Sequence, residues 1–174
     1  MKFWSKPMSS APTAVVAVMI GSLLLAACTP SSADRTARRD VHPYWEKGAG
    51  AAEAAAFMKV RIPEKAAEVK GAVRVQSQEK LYLLSFVTDE RTAEVIAEDL
   101  RPDSPLRIMT SGSSLSGDGF EHLGLTPPQE LKDVREASAC PPCTGDSRRG
   151  HVQGIEMHVG EEAGTHARVY LTAY

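Results

Sequence analysis

Residues 155–174 read IEMHVGEEAGTHARVYLTAY, and this stretch decides the fold class. Ile155, Met157 and Val159 alternate with Glu156 and His158. Ala167, Val169, Leu171 and Ala173 alternate with Arg168, Tyr170, Thr172 and Tyr174. Successive side chains of a strand point to opposite faces, so a period of two marks a strand. Gly160 to His166 supplies the turn of a β-hairpin. Tyr170 and Tyr174 share a parity, so they either pack beneath a helix or cover a partner surface, and packing is favoured.

The same alternation occurs upstream. Val69, Gly71, Val73 and Val75 alternate with Lys70, Ala72 and Arg74. Leu81 to Val87 (LYLLSFV) is apolar on both faces, and Gln76 to Lys80 is a polar connection. A second hairpin is predicted there. Gly48 to Met58 is rich in alanine and predicts a helix, with Pro63 beyond its end. Asp89 suits the N-cap of another helix, because Ala93, Ile96, Ala97 and Leu100 follow at i, i+3, i+4 and i+7. Thr126-Pro127-Pro128-Gln129 resembles a capping box with proline at the first helical position, and predicts a short helix through Leu131, Val134 and Ala137. Residues 102–125 are rich in Pro, Gly and Ser and predict a long loop. The expected architecture is α+β, an antiparallel sheet built from two β-hairpins with helices packed on one face.

Composition narrows the class. The 174 residues carry 20 Lys+Arg against 22 Asp+Glu, a formal net charge of −2, with 24% charged and 43% apolar residues. These are ordinary values for a globular domain and exclude a collagen-like, wholly disordered or polytopic membrane chain. A nucleic-acid partner is not expected, because binders of nucleic acid show a strong basic excess.

The N-terminus carries an address. Lys2 and Lys6 precede an uncharged apolar run from Ala14 to Ala27, and the first acid is Asp34. At 1.5 Å per residue that run spans about 21 Å, short of the roughly 30 Å hydrocarbon core. A basic start, a short apolar centre and small residues at its end describe a secretory signal. Its end, Leu25-Ala26-Ala27-Cys28, resembles the lipobox of bacterial lipoproteins at all four positions. The resemblance implies a diacylglycerol thioether on Cys28, cleavage before Cys28, and fatty acylation (palmitate-type) of the new amino group. Two or more chains anchor a protein stably, whereas one does so marginally. The implied location is the outer face of the cell membrane. Cleavage removes both leading lysines and no acid, so the exported chain is more negative than the whole.

The expected domains are a signal peptide at 1–27, lipidated Cys28 with a flexible tether at 28–42, and one extracytoplasmic domain at 43–174. Thr29 to His42 holds hardly any large apolar side chain and cannot offset its ordering entropy. Arg35, Arg38 and Arg39 either rest on anionic headgroups, at roughly 1 kcal/mol each, or lie in a solvated linker. The chain has no Asn and twelve Arg to eight Lys. With YLLSFVTDERTAEVIAEDL, FEHLGL and ASACPPC, it resembles small uncharacterised lipoproteins of Streptomyces-type actinobacteria. That resemblance implies location and a single mature domain, and transfers no site residues.

Cys140-Pro141-Pro142-Cys143 is the sharpest motif of the domain. A C-x-x-C pair exchanges disulfides when its first thiolate is stabilised, usually where a strand meets a helix N-terminus. The residues before it look helical, which argues against a thioredoxin-like context, although Arg148 and Arg149 could lower a thiol pKa. A structural disulfide is favoured over a redox pair or a metal pair. His151, His158 and His166 could complete a Cys₂His₂ zinc set, but their spacing departs from the usual pattern. Asp118, Glu121 and His122 offer acid–base groups, and Ser111 to Ser116 offer hydroxyls; a solvated loop explains both. No G-x-S-x-G elbow or phosphate-binding loop is present.

No catalytic residue, metal site or cofactor is therefore predicted, and an enzyme is the less favoured class. The expected function is a membrane-anchored binding or interaction module. Its partners are the membrane lipid, through acylated Cys28, and an unidentified protein or small molecule. The alternative is an extracytoplasmic thiol–disulfide or metal-handling protein using Cys140 and Cys143.

Overall fold

The computed structural model describes residues 42–110 and 117–174, which fall in one compact unit, Arg38–Tyr174. The alternating segments form strands β2 (Ala67–Val75), β6 (Ile155–Glu161) and β7 (His166–Ala173), and the segment apolar on both faces forms β3 (Lys80–Asp89). Three further strands are β1 (Tyr44–Trp45), β4 (Arg107–Ile108) and β5 (Arg135–Ala139). All seven form one antiparallel sheet in the order β1-β2-β3-β7-β6-β5-β4. The class is α+β with an antiparallel sheet, as the alternation predicts.

The sheet is wider than the sequence suggests. The helix predicted through Leu131, Val134 and Ala137 is not formed. Only a 3₁₀ turn at Pro128–Glu130 follows the two prolines, and β5 begins at Arg135. Leu131, Val134 and Ala137 imitate helical spacing, but Ala137 and Ala139 belong to a period-two pattern with Glu136 and Ser138. Tertiary pairing of β5 with β6 decides between the two periods. Within 102–125, β4 and a 3₁₀ segment at Gly117–Leu123 interrupt the predicted loop.

Helices α1 (Ala51–Met58) and α2 (Glu90–Asp99) lie where their patterns place them. Asp89 accepts from the Thr92 amide at 2.8 Å and caps α2. Ala54, Ala55 and Met58 of α1 share one buried cluster with Ala93 and Ala97 of α2. The sheet contributes Leu84, Phe86, Met157, Val169 and Leu171 to it. Gly71 lets α1 approach the sheet, since a Cβ there would lie 2.4 Å from the Ala51 Cα. A smaller cluster on the opposite face joins Leu81, Leu83 and Tyr170 to Phe120, with Leu123, Leu125 and Leu131 beside it. Tyr170 meets Phe120 edge to face, with centroids 5.0 Å apart. Packing is therefore the role of this tyrosine.

Both helices end on one side chain, Arg149, which is 0% exposed. Its Nε donates to the Met58 carbonyl at 2.9 Å, and Nη2 donates to the Lys59 carbonyl at 3.2 Å. Its Nη1 donates to the Asp99 carbonyl at 2.9 Å and to the Asp146 carboxylate at 2.8 Å. Nη2 also donates to the Asp99 carboxylate. Helix C-termini leave carbonyls without partners and carry partial negative charge, so a cation there satisfies both. The Arg149 hydrogen bond holds the Asp146 carboxyl below its ordinary range, against the opposing effect of burial. For Asp99 burial pushes upward, and hydrogen bonds from Arg149 and Arg148 overcome it.

Arg149→Met removes the cation on Asp146 Oδ2 and leaves that carboxylate, 2% exposed, with only Arg148, whose Nε stands 3.4 Å from Oδ1. Loss of one partner of a buried pair costs about 3–5 kcal/mol. Urea unfolding should show a loss of that size, and a loss under about 1 kcal/mol would contradict this role.

Candidate functional site

Cys28 and the tether lie outside the described residues, as do residues 111–116. No helix among the described residues is long and apolar enough to cross a membrane. Cys140 and Cys143 form a disulfide with Cα atoms 5.2 Å apart, within the normal range. The motif follows strand β5, not a helix, and opens a single helical turn at Pro141–Thr144. Cys140 is half-buried and Cys143 is exposed. Arg148 and Arg149 are both engaged by Asp99 and Asp146. Asp99, at the C-terminal end of α2, is thus a partner of both arginines.

The three histidines of the domain's end do not converge with the cysteines on a common metal. His151 lies before β6, and its Nε2 donates to the Phe57 carbonyl at 2.9 Å. His166 is exposed at the start of β7, and His158 is buried in β6. Among the described residues, no group of three or more His, Cys, Asp or Glu side chains is placed to hold a metal ion. Glu121 and His122 are exposed, and the His122 ring stacks on Trp45 with centroids 4.0 Å apart. The side chain of Asp118 lies outside the description.

A different constellation does emerge on the sheet face opposite α1 and α2. In the register, Ser85 of β3 faces Tyr170 of β7, Tyr170 faces His158 of β6, and His158 faces Glu136 of β5. Arg107 of β4 continues the row beside Glu136. Glu156 and Thr172 form the neighbouring row, two residues along. Directly opposite residues on one face have Cβ atoms about 4.5–5.5 Å apart, so these side chains are neighbours.

Much of this row is withdrawn from water. His158 is 3% exposed and Glu136 7% exposed, while Ser85 and Thr172 are also buried. Ser85 Oγ, Glu156 Oε2, His158 Nδ1 and Arg168 Nη1 are buried without a hydrogen-bond partner. Sheet alternation puts all four on this one face, because Arg168 lies opposite Val87 and two residues before Tyr170. An unsatisfied buried polar group costs about 1–3 kcal/mol, so four on one face call for an explanation beyond folding.

Burial sets the protonation states. Desolvation pushes the His158 imidazole down to about 4, so it is neutral at physiological pH. Desolvation raises the Glu156 carboxyl, and the negative charge of Glu136 adds to that. Desolvation likewise raises the Tyr170 hydroxyl. The face therefore offers a neutral imidazole between two carboxyl groups that repel each other when both are ionised.

The composition of this face is visible in the sequence as the polar half of each alternating strand. Its assembly is not, because β5 was hidden behind helical spacing. Comparison with protein-family models, curated proteins and solved structures finds no match.

An unfolded imidazole protonates near 6.5, while the folded one stays neutral to about 4. The unfolded state takes up the proton first, so His158 withdraws stability as pH falls from 6.5 to about 4. The loss is roughly 3 kcal/mol at the acid end. Glu156 acts in the opposite sense, losing stability as pH rises above its unfolded value. The unfolding free energy of the wild type should therefore fall relative to that of His158→Phe as the pH is lowered across that window. A difference independent of pH would contradict the buried neutral imidazole.

Proposed function

We propose that the chain is an exported, lipid-anchored binding module whose ligand meets the polar sheet face formed by β3, β7, β6 and β5. The observation that carries the binding half is the gathering of four orphaned buried polar atoms on that one face. A group satisfied by a ligand, rather than by the fold, is left unpaired when the ligand is away. In this reading the hairpins β2–β3 and β6–β7 form the frame, and α1 and α2 cover only the other face.

The anchoring half rests on Leu25-Ala26-Ala27-Cys28. Chain length between the lipid and β1 sets the reach. Thr29 to Pro43, about 15 residues at no more than ~3.5 Å each, extends at most about 50 Å. Confinement within that distance raises the effective concentration of the domain for anything at the membrane surface. The expected result for Cys28→Ser is loss of metabolically incorporated palmitate from the protein. Undiminished labelling would sink the anchoring half and leave the sheet face untouched.

Thiol–disulfide exchange is the second reading, favoured by the exposure of Cys143 in the helical turn that follows β5. An attacking thiolate would bond to the Cys143 sulfur and release Cys140 as a thiolate. Equilibration against thiol redox buffers separates the two readings. A binding module with a structural bridge should stay oxidised to below about −300 mV. A potential above about −230 mV, with reduction of insulin, would favour exchange instead.

A further inference from the structure

We infer that the groove between α2 and the chain that follows α1 binds a medium-chain fatty acid, with its carboxylate at Arg91 and Arg61 and its tail over Val95. The site lies on the helical layer, so it goes beyond the reading above and does not depend on the polar sheet face. Val60, Arg61 and Pro63 line one wall of the groove, and Arg91, Val95 and Ile96 line the other. Its volume of about 450 Å³ falls within the roughly 300–1,000 Å³ of small-molecule sites.

The exposure of Val95 is what the fold leaves unexplained. Helix α2 buries Ala93 and Ala97, and its outer positions Glu90, Arg91, Glu94 and Glu98 are charged and exposed. Among those charges Val95 stands 56% exposed. Arg91, Val95 and Asp99 fall at i, i+4 and i+8, one stripe of the helix about 12 Å long. Val60, Pro63 and Ile96 extend the apolar surface sideways from Val95. The groove is thus apolar along its middle and charged at its ends, which is the pattern of a ligand with a polar head and an apolar tail.

Charge selects the head group and its position. The acidic neighbours of Arg91 on α2, Glu90 and Glu94, are both held by Arg135 instead. Arg61 meets Glu64 at 3.3 Å with both side chains 87% exposed, a pair for which water competes. Asp99, at the far end of the groove, is already engaged by Arg148 and Arg149. Two guanidiniums therefore remain to meet an anion, and their planar forks match a carboxylate. The cavity on the other flank of α2 is lined by Glu94 and Glu98 beside the occupied Arg135, so an anion is favoured only on the Arg91 side.

The test titrates the purified chain in detergent-free buffer with sodium octanoate while following the Val95 and Ile96 methyl resonances by NMR. Saturable shifts are expected. Acetate, which has the head without the tail, and octylammonium, which has a tail of the same length with opposite charge, should give none. Arg91→Gln and Val95→Thr, both at exposed positions, should each weaken binding by about threefold or more. Glu64→Gln frees Arg61 and should tighten it by up to about fivefold. No saturable shift with octanoate, equal binding of octylammonium, or unchanged affinity in both weakening variants would overturn the site. Tighter binding of N-acetyl-leucine than of octanoate would assign the groove to a peptide carboxyl terminus and overturn the fatty acid. None of those results bears on the polar sheet face or on acylation of Cys28, which stand or fall separately.

Discussion

The guanidinium of Arg149 ties together segments that no hairpin joins. It satisfies carbonyls at the ends of α1 and α2 and pairs with Asp146 in the turn after the disulfide. Each contact is worth more because the group is fully withdrawn from water, and each would be costly to leave unmade. Asp146 is placed for this by its own chain: its amide donates to the Pro141 carbonyl at 2.9 Å, and the Arg149 amide donates back to Asp146 at 3.0 Å. The Cys140–Cys143 bridge closes the short helical turn from which these bonds begin. The disulfide is thus best understood as part of the support for Arg149, and through it of the helical layer.

That layer frees the opposite face from structural duty on one side. The cluster around Leu84, Phe86, Val169 and Leu171 supplies the main apolar burial, and the Phe120 segment covers Leu81, Leu83 and Tyr170. Between Tyr170 and the β4 edge, the second face turns polar, with His158, Glu156 and Glu136 in adjoining positions. A well-optimised core would hold apolar residues there. Contrast within the protein makes the point: Arg149 is as buried as any residue and makes five hydrogen bonds, whereas Glu156 and His158 keep atoms with none. Buried polar groups of the first kind build a fold. Those of the second kind are costs that binding can recover.

Alternation made β2, β6 and β7 legible, because each has enough residues for a period of two to stand out, and an apolar run on both faces made β3 legible. Asp89 and the i, i+3, i+4 spacing made α2 legible for the same reason. The short strands escaped: β1 and β4 hold two residues each and have no period to read. Strand β5 misled, since Leu131, Val134 and Ala137 fall at helical spacing and two prolines imitate a helix start. That error also reversed the context of Cys140, which follows a strand. Glu136 then had no face assigned, so its meeting with His158 was out of reach. Arg149 was legible only as a charge near the cysteines, because nothing local tells that a guanidinium will be buried under helix ends fifty and ninety residues away.

The central claim is that the second sheet face keeps its polar atoms for a ligand and at the expense of stability. Unfolding free energy of the Ser85→Ala, Glu156→Met double variant tests it most directly, with no ligand present. Removing two orphaned buried polar groups should leave stability unchanged or raise it. A loss of more than about 2 kcal/mol would mean that these groups hold the fold together, and would contradict the account.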